Sequence, residues 1–153
     1  FGPDRLPLLD RFLEAVPEGR KPAVELRHPD WFASRDTAAR LFDLLAGHGA
    51  GTVITDVAGR RDVLHMQLTT PVAFVRFVGN GLHPTDYSRI DAWVQRLAHW
   101  YDLGLQQTYF FPHEPDNVLA PELSIYLASK LPAIEGLQFR TPKLFNDRQG
   151  QLF

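Results

Sequence analysis

No cysteine occurs among the 153 residues. Disulfide scaffolds, thiolate metal centres and cysteine nucleophiles are therefore excluded. No apolar run approaches the roughly 18 residues that a membrane-spanning helix needs, so no membrane partner is expected. Neither sign of charge dominates: 16 Lys and Arg stand against 18 Asp and Glu, a net charge of −2, with a pI near 6.3. That balance excludes a strongly basic nucleic-acid module while leaving room for a local basic patch. The chain also has no G-x-G-x-x-G, no P-loop and no G-x-S-x-G, which removes the main sequence support for Rossmann, P-loop NTPase and α/β-hydrolase chemistry. It opens on Phe1-Gly2-Pro3-Asp4, with neither an initiator Met nor a signal-peptide pattern, and reads as an internal cut in a longer chain.

What is present is ordinary globular material, 44% hydrophobic and 22% charged, enough for a sizeable core. Leu6, Leu9, Phe12, Leu13 and Val16 fall near helical spacing, and Pro17 and Gly19 close that segment. The alternating run Ala23 to His28 predicts a strand stopped by Pro29. Ser34 or Asp36 can cap a second helix carrying Ala38, Leu41, Leu44 and Leu45, with Gly47 or Gly49 as its exit. Strands are predicted at Thr52–Asp56, at Val72–Val78, and at Thr108–Phe111 before Pro112. A long helix is predicted over about Asp86 to Leu103, with Ile90, Trp93, Val94, Leu97 and Tyr101 on one stripe and Gly104 after it. A last helix carries Leu123, Leu127 and Leu131 between Pro121 and Pro132. Alternating strands and helices of this length predict an α/β fold with a mainly parallel sheet. The Val57–Pro71 connection, with Gly59-Arg60-Arg61-Asp62 and no helical period, reads as an irregular crossover loop.

Each predicted strand ends in polar residues: Glu25, Arg27 and His28; Asp56; Arg76 with Gly79 and Asn80; then His113, Glu114 and Asn117. The C-terminal edge of a parallel sheet is where α/β proteins bind ligands. Glu25 and Arg27 share a strand face, where they either share a ligand or form a structural ion pair. Asp56 is either an acid–base group or a turn cap. Arg76 either grips an anion bidentately or answers Glu25 or Asp56. Trp31 either walls a pocket or packs under the next helix. Gly79-Asn80-Gly81 either offers N–H groups to a phosphate or makes a plain turn. His28, Asp56, His113 and Glu114 carry the donors a divalent cation would use, but no tight motif such as H-E-x-x-H is present; no metal centre is assigned and the cofactor stays open.

The segment Val24-Glu25-Leu26-Arg27-His28-Pro29-Asp30-Trp31 closely resembles the "VEfRHpsW" signature of the YecE-like family, domain of unknown function 72. Val53 to Asp56, Thr70 to Gly79, and Tyr109 to Phe111 with Asn117 and Ala120 resemble the following strands of that family in order. The resemblance covers about residues 1–131. It implies a (β/α)8 TIM barrel to which residues 1–132 contribute strands five to eight with their helices, followed by an irregular tail over 133–153. Such barrels run to about 250 residues, so the rest of the barrel, or a second copy, is the expected partner for two open sheet edges. Val78 stands where the family usually has His, and Pro112-His113-Glu114 replaces its usual Asn-rich turn. No family-wide catalytic role is carried to those positions.

The functional expectation is a cytoplasmic enzyme acting on an anionic substrate, in its most concrete form a phosphoester, at the C-terminal rim of the strands. Arg27 and Arg76 would hold the anion, with Trp31, Asn80 and Asn117 also lining the substrate site. Glu25 or Asp56 would act as acid or base, assisted by His28 or His113. A second expectation is a non-catalytic adaptor of DNA metabolism. It rests on the terminal Gln149-Gly150-Gln151-Leu152-Phe153, which resembles the Gln-x-x-Leu-Phe peptide that docks on the bacterial sliding clamp through two apolar anchors, here Leu152 and Phe153 beside Gln149.

Overall fold

The computed structural model of the protein describes residues 1–142. These form two compact units, residues 1–78 with 104–111, and residues 79–103 with the chain from 112.

The first unit opens on a 3-10 turn, Pro3–Arg5, that runs into helix α1 (Leu6–Glu14). Leu9 and Leu13, one helical turn apart, are buried. Strand β1 (Ala23–Val24) is shorter than the run to His28 predicts. Beyond Val24 the backbone leaves the ladder, and the Arg27 carbonyl accepts instead from Arg60 Nη2 at 2.9 Å. Helix α2 (Arg35–Gly47) begins as expected: Ser34 Oγ accepts from the Thr37 N–H at 3.1 Å, satisfying one of the orphan donors of the first turn. Two residues past its end, Gly49 has φ +62°, a left-handed exit that costs glycine no Cβ clash. Leu9, Leu13, Trp31, Leu41, Leu45 and Ala50 form one continuous apolar cluster.

Strands β2 (Gly51–Val57), β3 (Val72–Val78) and β4 (Gln107–His113) complete a four-stranded sheet in the order β1-β2-β3-β4. β1 pairs parallel with β2, and β2 with β3, the latter in a register that sets Thr55 beside Arg76. β4 runs in the same sense as β3: the Gln106 N–H donates to the Pro71 carbonyl near their starts, and the Gly79 N–H to the His113 carbonyl near their ends. As expected, residues 58–71 between β2 and β3 form no helix. β4 does not stop at Pro112 as predicted. His113 turns its carbonyl toward the β3 side, so the preceding residue faces the open edge, where a missing N–H breaks no ladder bond.

The two faces of the sheet differ. Ala73, Val75 and Phe77 of β3 are fully buried on one face, as period-two alternation requires. On the other face Phe74 lies 5.8 Å from the Tyr109 ring and 5.0 Å from the Phe111 ring. Tyr109 and Phe111 are each 43% exposed, a row of aromatic surface that ordinary solvent-facing strands do not carry.

The second unit contains helices α3 (Pro84–Asp102) and α4 (Ala120–Lys130) and the 3-10 turn Leu131–Ala133. α3 starts with a capping box: His83 Nδ1 accepts from the Thr85 N–H, and Asp86 Oδ2 accepts from the His83 N–H at 3.0 Å. Ile90, Trp93, Val94 and Leu97 of its predicted stripe are buried. α3 and α4 are joined by the Tyr126 hydroxyl, which donates to both Asp91 carboxylate oxygens at 2.9 and 3.0 Å, and by the edge of one ring of the Tyr87–Tyr126 pair meeting the face of the other.

Candidate functional site

Three arginines gather at the C-terminal ends of β1, β2 and β3. Glu25, just past β1, accepts through Oε1 from Arg27 Nε at 2.8 Å, from Thr55 Oγ1 at 3.0 Å and from Arg76 Nη1 at 3.4 Å. Thr55 and Arg76 reach the same point because the β2–β3 register sets them side by side on one face. A cavity of about 260 Å³ opens here, lined by Arg27, Thr55, Val57, Arg60, Val63, Arg76 and Val78. Among the described residues its charged lining is guanidinium only. Glu25 touches three of the lining groups without lining the cavity itself. Arg60 is held by Asp62 through Nε at 3.1 Å and by the Arg27 carbonyl through Nη2. The same hydrogen bond from Arg60 keeps the exposed Asp62 carboxyl below its usual range. A fork of planar donors suits the oxygens of a carboxylate or phosphate.

The loop after β3 is closed in a different way. Four successive backbone N–H groups are taken by two buried carboxylates. Asn80 donates to Asp86 Oδ2 at 2.8 Å, Gly81 to Glu114 Oε2 at 2.7 Å, Leu82 to Glu114 Oε1 at 3.2 Å, and His83 to Asp86 Oδ2 at 3.0 Å. The N–H groups that the Gly79-Asn80-Gly81 sequence could offer a phosphate are thus already occupied, that of Gly79 by the His113 carbonyl and those of Asn80 and Gly81 by carboxylates. Glu114 approaches so closely that a Cβ on Gly79 would stand 2.2 Å from its Oε1. That explains glycine here without invoking a ligand.

The remaining predicted site residues are dispersed. Trp31 is a core residue and not a pocket wall: it is 1% exposed, belongs to the apolar cluster of the first unit, and its Nε1 donates to the Phe1 carbonyl at 3.0 Å. Asp56 is 2% exposed and ion-paired with Arg61. Strand alternation puts Asp56 on the face opposite Thr55, and it does not line the arginine cavity. His28 Nδ1 caps the turn Pro29–Trp31 by accepting from the Asp30 N–H at 3.3 Å. His113 contributes its carbonyl to Gly79, and Asn80 and Asn117 are exposed. Among the described residues, no three of His, Asp and Glu gather at metal-ligand spacing; Glu114 is engaged by the loop backbone, and Asp56 by Arg61. Gln149, Leu152 and Phe153 lie outside the described residues.

Two polar members of the cavity, Thr55 and Arg60, are not evident from the strand-end pattern. Thr55 looks like one more β-branched strand residue until the register is known. Arg60 sits in a loop whose polar run marks it only as irregular; its i, i+2 relation to Asp62 is the one local hint that its guanidinium is fixed. A larger groove of about 670 Å³ lies at the opposite ends of the strands, between Ala23, Gly51, Val72, Gln107 and their neighbours, with Lys21 as its charged lining among the described residues.

The whole run of residues 1–145 matches the family model described as "Protein of unknown function DUF72". The chain is 33% identical to the UPF0759 protein YecE of Escherichia coli K12, in an alignment of 141 residues covering 80% of this chain and 51% of the relative. It is also similar in fold to a DUF72 family protein from Enterococcus faecalis V583, with TM-score 0.66 and 14% identity over 90% of this chain and 58% of that one. A DUF72 family protein from Thermotoga maritima MSB8 is likewise similar, with TM-score 0.62 and 19% identity over 88% of this chain and 53% of that one. The extent of the family match and the identity to YecE make the chain a member of the DUF72 family, and it spans about half the length of the curated relatives it matches.

Proposed function

We propose that the protein is an enzyme acting on an anionic substrate, with a phosphoester as the most concrete case, at the C-terminal ends of its strands. The observation that carries this reading is the cavity whose charged lining consists of Arg27, Arg60 and Arg76, with Glu25 bonded to two of the three. Guanidinium groups there neutralise the charge of a bound phosphoryl group and orient it. Glu25, bonded to Arg27 and Arg76, takes a proton from an attacking water. In that step the water oxygen bonds to phosphorus, the bond to the leaving oxygen breaks, Glu25 receives the water proton, and the leaving oxygen is protonated from solvent.

The setting we propose is a (β/α)8 barrel in which β1 to β4 are strands five to eight. Four adjacent strands in chain order, the fold likeness to DUF72 structures about twice the matched length, and an exposed aromatic sheet face support it. In such a barrel that face lines the interior, and the arginine cavity opens at the catalytic rim.

Arg76→Ala tests the functional reading. Turnover of para-nitrophenyl phosphate and of bis-(para-nitrophenyl) phosphate should fall on the order of 100-fold or more in kcat/KM. The thermal midpoint should stay within a few degrees, because the Glu25 pair is partly exposed and contributes little to stability. Equal losses of activity and stability would make Arg76 a structural counter-ion.

A further inference from the structure

Glu25 Oε1 stands where three donors converge, the Arg27 Nε, the Thr55 hydroxyl and the Arg76 Nη1. Two guanidinium groups and a hydroxyl aimed at one oxygen are the donor set of an oxyanion site. Three observations separate this from an ordinary surface ion pair. All three bonds fall on Oε1. Thr55 is buried and its strand pairs it with Arg76, so two of the donors are fixed by the sheet. Glu25 itself lies past the end of β1, outside the ladder, with a side chain 30% exposed. Thr55 and Arg76 are therefore anchored on paired strands, whereas Glu25 lies with Arg27 on chain beyond the ladder. The adjoining cavity has room for a tetrahedral anion, and Arg60 supplies a third guanidinium to its wall, anchored by Asp62 and the Arg27 carbonyl.

We propose that Arg27, Thr55 and Arg76, with Arg60 on the cavity wall, form a binding site for a tetrahedral oxyanion of the phosphate class, and that Glu25 is an internal stand-in which the incoming anion displaces. This rests on the anionic-substrate reading above and adds to it the ligand class and the group that guards the site. Displacement breaks no covalent bond. It exchanges one set of charge-assisted hydrogen bonds for another and leaves the Glu25 carboxylate without its guanidinium partners, in the state that a proton acceptor needs.

The test is calorimetric titration of inorganic phosphate into the full 153-residue chain, wild type and Glu25→Gln, with acetate as a planar control. Removing the internal anion should tighten phosphate at least tenfold, and Glu25→Gln/Arg76→Ala should lose that gain. Acetate should bind at least tenfold more weakly than phosphate. If wild type binds phosphate and Glu25→Gln binds it equally or more weakly, displacement is overturned while the anionic-substrate reading stands. If neither folded protein binds phosphate, both are overturned. Equal affinity for acetate and phosphate overturns the tetrahedral class. Should Glu25→Gln fail to fold, Glu25→Asp, whose shorter reach retracts the carboxylate, should tighten phosphate in the same direction by less, and unchanged or weaker binding overturns displacement equally.

Discussion

His65 is the side chain whose chemistry departs furthest from what its place in the sequence suggests. It sits in the loop between β2 and β3, with Phe32 and Phe42 each 5.1 Å from its ring. Burial pushes its pKa down to about 4, against the opposing pull of backbone hydrogen bonds at Val53 and Gln67. Above pH 6.5 the imidazole is neutral in both folded and unfolded chains. As pH falls from 6.5 toward 4, the unfolded state takes up a proton that the folded state refuses, so stability decreases across that window by about 3 kcal/mol at most. Urea unfolding at pH 7 and pH 4.5 should show this loss in the wild type and a smaller one in His65→Phe; an identical pH dependence in both would contradict it. Nothing in the sequence marks His65, because its two rings come from the turn before α2 and from α2 itself. Glu25, Arg27 and Arg76 were legible for the opposite reason: strand alternation and strand ends are local patterns. Trp31 followed the same local pattern and misled, since what surrounds it comes from α1 and α2.

Among the elements, the β3–α3 loop carries the sharpest stereochemical constraint. Glu114 and Asp86 hold all four N–H groups from Asn80 to His83, and Gly79 leaves no room for a side chain. Gly79→Ala should destabilise by about 1–3 kcal/mol through overpacking against the carboxylate. Glu114→Ala should also destabilise, by leaving the Gly81 and Leu82 N–H groups without their carboxylate partner. The two effects should be strongly non-additive in a double-mutant cycle measured by chemical denaturation, because the clash vanishes when Glu114 is gone; simple additivity would place the strain elsewhere. The helices were readable almost to the residue because their stripes, the Ser34 cap and the glycine exits are all local. Two strand ends were not. β1 stops at Val24, and the Arg27 carbonyl beyond it is answered by Arg60 from 33 residues away, while β4 passes through Pro112 because that position faces an open edge. Both outcomes depend on partners that strand propensity does not describe.

Among the described residues, the sheet ends at β1 on one side and β4 on the other, and one face bears the exposed Tyr109 and Phe111. Long unpaired edges and apolar sheet faces are sites of association. The DUF72 relatives extend to about twice the length matched by this chain. The barrel reading therefore predicts that the half of a full-length relative that this chain does not match, mixed with it, forms a one-to-one complex. That complex should suppress anilinonaphthalene sulfonate fluorescence and protect Tyr109 and Phe111 from solvent. Failure to suppress the dye signal on complex formation would contradict the placement of this face in a barrel interior. The family and the order of strands were legible from motifs along the chain. The candidate site was legible only in part, because the third arginine of its cavity comes from a loop that has no period to read.

The anion site proposed for the three arginines at the strand ends is tested by locating the bound anion. In a nuclear magnetic resonance titration of the protein with inorganic phosphate, the Arg27, Arg60 and Arg76 side-chain Nε–H signals and the Thr55 amide are predicted to shift together and saturate with a single dissociation constant. Saturable shifts centred on Lys21 and the groove at the opposite ends of the strands, or no shift at the three arginines, would contradict the account.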